Sequence, residues 1–293
     1  MKHQQFKSIF ISDIHLGSKA CKAEETCAFL KTHKAENLFL VGDIIDGWRL
    51  RKKWFFPQSH VNVIRRILTF AKRETNVFYI LGNHDEVFRK FLHYGIDIGR
   101  IQILNEYTYT SNGRKYLIIH GDSFDTIMLD QKWLMHIGDT LYNLLIWFNN
   151  KFNKVRKLFG MNYWSLSKWL KHNTKEALNF IYRFEEKIIS YCKEENYDGI
   201  VCGHIHTPNI KKIDDVVYMN DGDFCESCSA IVETFNGDFF ILALENGYFV
   251  PVQANVLHKS DVLHGEECLE YYKSLGYQPQ KIGLENEEDI DYN

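Results

Sequence analysis

The chain has 293 residues, enough to bury one large core, and we expect one elaborated domain. With 45% hydrophobic and 25% charged residues, its composition is that of an ordinary globular protein. The net charge of −3 gives no general reason to expect nucleic acid as a partner. No apolar run approaches the roughly 20 residues that span a bilayer. Residues 1–5 lead directly into a predicted strand, so we expect no signal peptide.

The seven cysteines are scattered, and several lie in apolar, strand-like runs. This pattern favours free thiols in a reducing compartment over a disulfide framework. Cys225 and Cys228 form a C-x-x-C pair, but no second pair accompanies them, so a zinc or redox role is not favoured. We therefore expect a cytoplasmic protein, with contact to a membrane surface left open.

The first 125 residues alternate between strand-like and helix-like patterns. The predicted strands are 6–12, 38–41 and 77–81, the predicted helices are 23–33 and 61–72, and a hairpin is predicted between 107–110 and 115–119. This alternation predicts an α/β layered fold, in which ligands gather at the carboxyl ends of the strands.

The pattern changes at about residue 126. Residues 126–195 lack strand signals and carry many large aromatics, which predicts a helical cap inserted into the core. Strand patterns then return at 199–202, 216–219, 230–235 and 239–244. We expect residues 1–125 and 196–257 to form the core, and residues 258–293, which end in an acidic run, to form a solvated C-terminal tail.

Five of the apolar runs end in polar residues of the kinds that bind metal ions. The five fragments are Asp13-Ile14-His15, Gly42-Asp43-Ile44-Ile45-Asp46, Gly82-Asn83-His84-Asp85, His120-Gly121-Asp122 and Gly203-His204-Ile205-His206. One such fragment is weak evidence, because Gly-Asn is also ordinary turn chemistry. Five in one chain predict a shared metal site.

The donors suit a site for two borderline divalent ions. Asp13 and His15 are two residues apart, so on a strand both would point to the same side. Asp43 has two oxygens with which to bridge two ions. The remaining candidate ligands are Asn83, His120, His204 and His206. Nitrogen and oxygen ligands of this kind serve Mn²⁺, Fe²⁺ or Zn²⁺, and we expect Mn²⁺.

Two such ions predict hydrolysis of a phosphoester. They would clamp the phosphoryl group and lower the pKa of a water between them to make a hydroxide nucleophile. His84 follows the candidate ligand Asn83 and is available to protonate the leaving group, and we expect Asp85 to orient its ring.

The five motifs, in this order, resemble those of the calcineurin-like metallophosphoesterase superfamily over residues 6–125 and 197–245. The resemblance implies a four-layer sandwich of two mixed β-sheets flanked by helices. It also implies one metal bound by Asp13, His15, Asp43 and His206, and a second bound by Asp43, Asn83, His120 and His204. In this pattern His84 is the general acid or transition-state stabiliser, and Asp46, Asp85 and Asp122 stand beside the ligands rather than among them.

The segments 12–17 and 42–48 are similar to those of the UDP-2,3-diacylglucosamine diphosphatases of bacterial lipid A synthesis. This resemblance implies cleavage of a UDP-sugar lipid to UMP and 2,3-diacylglucosamine 1-phosphate, with peripheral contact to the cytoplasmic face of the inner membrane. One residue departs from it, because the well-characterised branch has Arg where His84 stands. The alternative is a related enzyme that acts on another phosphodiester or phosphomonoester, such as a nucleotide or a phospholipid.

The candidate substrate-binding residues each have a second interpretation. Arg49 and Arg51 follow the second motif and are suited to contact substrate phosphate, but they are also typical exposed residues. Trp147 and Phe148 lie in the insertion near the basic residues Lys151, Lys154, Arg156 and Lys157. These aromatics either bind an acyl chain or pack the cap against the core. A scaffold without catalysis is disfavoured, because no ligand position is lost.

Overall fold

The computed structural model describes residues 4–73, 75–90, 92, 97–126 and 175–282. The chain divides into two compact units, residues 1–121 with 192–293, and residues 122–191. Most of the predicted insertion, including Trp147, Phe148 and the basic residues 151–157, lies outside the described residues.

The described residues form fifteen strands and seven helices. The strands are β1 (Gln4–Ile11), β2 (His33–Val41), β3 (Asn76–Ile80), β4 (Asp97–Ile98), β5 (Ile101–Leu104), β6 (Glu106–Ser111), β7 (Arg114–Ile119), β8 (Gly199–Cys202), β9 (Asn209–Ile213), β10 (Val216–Asn220), β11 (Ser229–Glu233), β12 (Phe239–Glu245), β13 (Tyr248–Asn255), β14 (Leu263–His264) and β15 (Gln280–Lys281). The helices are α1 (Ala23–Thr32), α2 (Gly47–Lys52), α3 (Gln58–Lys72), α4 (Glu86–Arg89), α5 (Asp122–Thr126), α6 (Lys175–Glu194) and α7 (Gly265–Ser274).

The strands form two mixed sheets, as predicted. The larger sheet follows the order β14-β13-β12-β11-β1-β2-β3-β5-β4, with β15 paired to β13, and the smaller follows β6-β7-β8-β10-β9. β1, β2, β3 and β5 run parallel, and so do β7, β8 and β10. Parallel neighbours end at the same edge of a sheet, so the loops after β1, β2 and β3 lie side by side, as do those after β7 and β8.

Strand alternation builds two hydrophobic cores. Phe10 and Phe39 face the smaller sheet and pack against Tyr109, with ring centroids 6.1 and 5.3 Å apart. Their neighbours Ile9 and Leu38 face the opposite way, into a core that includes residues of α1, α3 and α7. Successive strand residues point to opposite faces, so apolar runs without alternation predict strands buried on both sides. The result is the α/β fold of two mixed sheets flanked by helices.

Residues 258–282 are not a solvated tail, and that prediction is wrong for them. They form β14, α7 and β15, and α7 buries Cys268 and Tyr272 against the larger sheet. The Tyr272 ring lies 5.1 Å from that of Phe240, edge to face. The two buried residues are four apart on α7, so they lie on the same face of the helix. This spacing is present in the sequence, but the acidic run that follows it led to the prediction of a solvated tail. The acidic run itself, from residue 283 onward, lies outside the described residues.

The seven cysteines are free thiols. Cys225 and Cys228 are both buried. Burial is the main cause that raises the pKa of Cys228 to about 12, so its thiol stays protonated at neutral pH. Among the described residues, no helix is both long and apolar enough to cross a membrane.

Candidate metal centre

The predicted donors lie in five loops that follow β1, β2, β3, β7 and β8. The loops after β1 and β2 continue the parallel pairing beyond the strands, because the backbone N–H of His15 donates to the Asp43 carbonyl at 2.9 Å. The backbone N–H of Gly203 donates across to the His120 carbonyl at 3.1 Å. These hydrogen bonds join backbone atoms, so they fix the loops against each other independently of the side chains.

The side-chain directions of the donors are set by left-handed backbone conformations and not by strand alternation. Asp13 and His15 lie beyond the end of β1, so the prediction that a strand aligns them is wrong. Left-handed conformations are uncommon for residues other than glycine, and they gather at functional sites. Five candidate ligands have positive φ angles: Asp13 (49°), His15 (52°), Asp43 (53°), His204 (69°) and His206 (52°).

Glycines in three of the motifs make room for the donors. A Cβ atom on Gly82 would lie 2.1 Å from Asp43 Oδ1, and one on Gly42 would lie 2.3 Å from His120 Nδ1. A Cβ on Gly203 would lie 2.5 Å from Asp13 Oδ2. The strand-end glycines are therefore required by the close approach of neighbouring loops as much as by their own turns.

The first group of donors consists of Asp13, His15 and His206. Asp13 Oδ1 lies 3.1 Å from His206 Nε2 and 3.6 Å from His15 Nε2. All three residues lie at the same edge of the fold, after β1 and β8, and Asp13 is fully buried. Two imidazole nitrogens and a carboxylate oxygen thus lie within 4.8 Å of one another.

The second group of donors is built around Asp43. Asp43 Oδ2 lies 3.5 Å from His120 Nε2 and 3.9 Å from His15 Nε2, so this oxygen faces both groups. The Asp13 carboxylate and the His120 ring complete the second group. The His204 ring lies edge-on to the His120 ring, with centroids 5.1 Å apart.

Asn83 supplies the test of whether a metal ion fits this centre. Its side-chain Oδ1 is buried and accepts no hydrogen bond from any described residue. A buried amide oxygen normally has a donor, and leaving it without one costs about 1–3 kcal/mol. A divalent cation would satisfy this oxygen, and the surrounding carboxylates and imidazoles are the ligand types that such ions take. The donor set therefore fits divalent metal ions.

The electrostatics of the centre favour anionic carboxylates. Burial alone would raise the pKa of Asp43, but the imidazoles of His120, His84 and His15 outweigh it and hold that pKa well below the usual range. Burial likewise opposes ionisation of Asp13, yet the neighbouring imidazoles keep its pKa low. Asp13 and Asp43 are thus charged at neutral pH, the state in which carboxylates bind cations.

Asp46, and not Asp85, holds the His84 ring. His84 Nδ1 lies 2.9 Å from Asp46 Oδ1, and the indole of Trp48 packs on the ring with centroids 4.2 Å apart. His84 Nε2 points to the opposite side and lies 3.8 Å from Asp43 Oδ2. The prediction that Asp85 orients His84 is therefore wrong, because the turn directs the two side chains apart.

Asp85 instead braces the backbone of the second motif. Its Oδ1 accepts hydrogen bonds from Tyr79 Oη at 2.7 Å and from the Ile45 N–H at 2.9 Å, and its Oδ2 accepts from the Ile44 N–H at 3.2 Å. Burial, together with the charge of Asp43, raises the pKa of Asp85 to about 6. Asp85 fixes the loop that carries Asp43.

The arginines of α2 lie beside this centre. Arg49 Nε lies 3.3 Å from Asp46 Oδ2, which ties this side chain to the carboxylate that holds His84. Arg51 is more exposed and lies 3.8 Å from Glu86. The other two predicted substrate-binding residues, Trp147 and Phe148, lie outside the described residues.

Sequence reasoning missed a sixth strand-end motif, Asn220-Asp221-Gly222-Asp223 after β10. Asp221 is fully buried, and Ser12 Oγ lies 2.6 Å from its Oδ1. Asp223 Oδ2 lies 3.9 Å from His206 Nδ1. The signal was present, because the apolar run Val216–Met219 is followed by polar residues of the kinds that follow the other five runs.

Comparisons with solved structures identify proteins of low sequence identity. The phosphoesterase Yfce of E. coli is 16% identical, with 89% of this chain and 98% of that one covered and a TM-score of 0.36. A predicted phosphoesterase of Streptococcus pneumoniae is 12% identical, covering 89% and 98%, with a TM-score of 0.34. Vacuolar Protein Sorting 29 of Cryptosporidium parvum is 12% identical, covering 88% and 94%, with a TM-score of 0.37. No curated protein matches the sequence significantly.

The sequence also matches a family model. The model of the calcineurin-like phosphoesterases matches residues 6–208, a span that contains the loops after β1, β2, β3, β7 and β8. All seven predicted ligands fall inside it. Since the match extends over more than half of the chain, the protein belongs to the calcineurin-like phosphoesterase family and is a metal-dependent hydrolase of phosphate esters.

Proposed function

We propose that the protein is a dinuclear-metal hydrolase of phosphodiesters or pyrophosphates. The observation that carries this proposal is the position of Asp43 Oδ2, which lies 3.5 Å from His120 Nε2 in one donor group and 3.9 Å from His15 Nε2 in the other. A carboxylate in this position is suited to bridge two ions. We assign one ion to Asp13, His15, Asp43 and His206, and the other to Asp43, Asn83, His120 and His204.

The chemistry that bound divalent ions supply is Lewis acidity toward the phosphoryl oxygens and a lowered pKa for water. The protein side chains perform the remaining steps. His84 Nδ1 is occupied by Asp46, so its Nε2 is the nitrogen directed toward the substrate. A protonated His84 would donate the Nε2 proton to the leaving-group oxygen, and the Asp46 carboxylate would stabilise the imidazolium. The indole of Trp48 packs on the ring, with centroids 4.2 Å apart.

For the substrate we propose UDP-2,3-diacylglucosamine, cleaved to UMP and 2,3-diacylglucosamine 1-phosphate. The support comes from the sequence of segments 12–17 and 42–48, and from an insertion rich in aromatic and basic residues. Arg49 lies beside the centre, 3.3 Å from Asp46, where it is suited to contact a substrate phosphate. With this substrate the enzyme would act at the cytoplasmic face of the inner membrane.

A second candidate is a hydrolase of a smaller phosphodiester, such as a nucleotide. The contacts of His84 with Asp46 and Trp48 favour it, because the well-characterised diacylglucosamine branch has arginine at this position. A histidine held in this way suits proton donation to an alkoxide leaving group. Cleavage of a pyrophosphate, whose leaving group is a phosphate, requires such a donor less.

A turnover panel with Mn²⁺ distinguishes these candidates. The substrates are UDP-2,3-diacylglucosamine, a cyclic nucleotide, an aryl phosphodiester and single-stranded DNA. Turnover of the first at a kcat/KM far above the others supports the lipid substrate, and preference for the cyclic nucleotide supports the second candidate. Asp43→Ala serves as the inactive control. Turnover that is unchanged after chelation and in this control contradicts the metal-dependent proposal.

The insertion offers a separate test of the lipid substrate. Replacing Trp147 and Phe148 with serine should impair cleavage of the diacylated substrate, since each buried CH₂ of an acyl chain contributes about 0.8 kcal/mol. Hydrolysis of the aryl phosphodiester should continue. If the variant is folded by circular dichroism and loses both activities equally, the insertion has a structural role and the lipid proposal loses its support.

A further inference from the structure

Ser12 lies between two buried carboxylates. Its Oγ is 2.5 Å from Asp13 Oδ2 and 2.6 Å from Asp221 Oδ1. The carbonyl oxygen of Gly222 is also near, at 3.3 Å. All three side chains are almost completely inaccessible to solvent, with exposures of 0% for Asp13, 0% for Asp221 and 1% for Ser12. The contacts in this cluster are therefore made among the protein atoms themselves.

Counting protons assigns a direction to these contacts. A serine hydroxyl has one hydrogen and can donate to one acceptor only. Two oxygens 2.6 Å apart with no proton between them repel each other, so one carboxyl group must itself be a donor. Ser12 Oγ can then accept from that carboxyl group and donate to the other.

The surroundings of the two carboxylates show which one carries the proton. Asp13 Oδ2 also accepts the backbone N–H of His204 at 2.9 Å, and its Oδ1 lies 3.1 Å from His206 Nε2. Asp221 Oδ2 accepts no hydrogen bond from any described residue. An anion at Asp221 would thus be buried with little stabilisation, which is costly. Burial correspondingly raises the pKa of Asp221 well above its usual range.

We propose that Asp221 is a positioning residue that orients the Asp13 carboxylate through Ser12. The proposal rests on the assignment of Asp13 as a metal ligand made above. Asp221 donates to Ser12 Oγ, which donates to Asp13 Oδ2, and each bond polarises the next. The His204 N–H is a second donor to Asp13 Oδ2, so this oxygen is fixed by two hydrogen bonds from the protein. Oδ1 is thereby directed toward the His15 and His206 nitrogens.

Hydrogen bonds from neighbouring loops fix the backbone of Asp221 in this position. The backbone N–H of Asp221 donates to the Cys202 carbonyl at 3.0 Å, which joins the end of β10 to the end of β8. Ser229 Oγ donates to the Asp221 carbonyl at 2.7 Å. A Cβ on Gly203 would lie 2.2 Å from Ser12 Oγ, so this glycine is needed for Ser12 to reach Asp13.

The test combines metal affinity with a double-mutant cycle on the full chain. Replacement of groups that support a metal ligand typically weakens binding by about 10–100-fold, and we expect losses in this range for Mn²⁺ with Asp221→Ala and Ser12→Ala. Asp221→Asn should bind Mn²⁺ nearly as well as the wild type, because its amide N–H can donate to Ser12. The double variant should be no worse than Ser12→Ala, since both changes break one chain.

A matched control separates positioning from folding. Asp238 is another buried carboxylate, and it lies away from the candidate metal ligands. Its Oδ2 accepts a hydrogen bond from Tyr271 Oη at 2.9 Å. Asp238→Ala should lower Tm and leave Mn²⁺ affinity unchanged. The positioning role is overturned if Asp221→Ala also lowers Tm without weakening Mn²⁺ binding, or if Asp221→Asn is as damaging as Asp221→Ala.

An infrared measurement tests the protonation of Asp221 without relying on metal binding. The wild-type spectrum minus that of Asp221→Asn at neutral pH should contain the C=O band of a protonated carboxyl group. Absence of this band overturns the proton assignment and with it the proposal. If the band is present but the wild type binds no Mn²⁺, then the proposed function fails, and the positioning role with it, while the hydrogen-bond chain stands.

Discussion

His84 Nδ1 lies 2.9 Å from Asp46 Oδ1, and this contact links the predicted proton donor to the first turn of α2. The same Asp46 oxygen accepts the backbone N–H of Arg49 at 2.9 Å, so it is the N-cap of that helix. The other oxygen lies 3.5 Å from His15 Nδ1. One buried carboxylate therefore fixes a helix, a candidate ligand and the candidate acid.

Replacing His84 with alanine should affect the chemical step more than metal content. His84 lies beside the donor groups but is not assigned as a ligand, so the variant should keep its bound ions. General acid catalysis typically contributes about 10²–10⁴-fold, and kcat for an alkyl phosphodiester should fall within that range. The loss should be smaller for a nitrophenyl ester, whose leaving group needs no proton. Equal losses for the two esters would argue against proton donation.

Replacing Asp46 with alanine should lower kcat and also destabilise the fold. Loss of the N-cap costs about 1 kcal/mol, which thermal unfolding will show as a lower Tm. Loss of the contact to His84 should lower kcat for an alkyl phosphodiester. Combining Asp46→Ala with His84→Ala should lower kcat little further, because both changes remove the same donor. Fully additive losses would show that Asp46 acts independently of His84.

Replacing Asp43 with alanine should abolish metal binding and turnover together. Asp43 Oδ2 faces both donor groups, and Oδ1 accepts the His84 backbone N–H at 2.9 Å. The cores lie between and beneath the sheets, so circular dichroism should remain that of the wild type. Metal analysis of the purified variant checks this prediction. Two ions per chain with full turnover would contradict the assignment of Asp43.

Much of this centre could be predicted because strand ends carry their own signal. Apolar runs that stop on Asp, Asn or His marked the loops after β1, β2, β3, β7 and β8, and parallel pairing brings such ends together. The family and the two-sheet fold followed from those motifs. The short strands β4, β14 and β15 carry no comparable pattern, because two residues are too few to show alternation.

The role of Asp85 could not be read from the sequence. Its position next to His84 suggested a carboxylate–imidazole pair, but neighbouring residues on a turn point in different directions. The partner, Asp46, is 38 residues away along the chain and was visible only as part of the second motif. Asp221 is likewise 209 residues from Ser12, so only the folded arrangement relates them.

Replacing Gly82 with alanine should weaken metal binding through sterics alone. A Cβ at this position would lie 2.1 Å from Asp43 Oδ1 and 2.6 Å from the Asp43 backbone nitrogen, and a backbone atom cannot move aside cheaply. We expect Mn²⁺ affinity to fall at least about 10-fold, as when the support of a ligand is lost. Gly99→Ala is the control, because a Cβ there meets nothing within 4 Å. It should cost stability through its positive φ but leave Mn²⁺ affinity intact.

His33 is fully buried in the core, away from the metal centre. Its ring stacks on Phe29 with centroids 4.4 Å apart, and Nδ1 lies 2.9 Å from the Phe29 carbonyl oxygen. Nε2 has no hydrogen-bond partner among the described residues. Burial lowers the pKa of His33 to about 4, so the folded protein holds this ring neutral at pH values where the unfolded chain would protonate it.

The sign of the resulting pH dependence follows from proton binding. Between the unfolded pKa of about 6.5 and the folded pKa of about 4, the unfolded chain binds the extra proton, so stability falls as the pH is lowered through this window. The loss approaches about 3 kcal/mol at its lower end. His33→Phe keeps the stacking and removes the titration. The free energy of unfolding from urea titrations at pH 7 and pH 4.5 should therefore fall less in His33→Phe than in the wild type. Equal falls in the two proteins would show that His33 is already protonated in the fold.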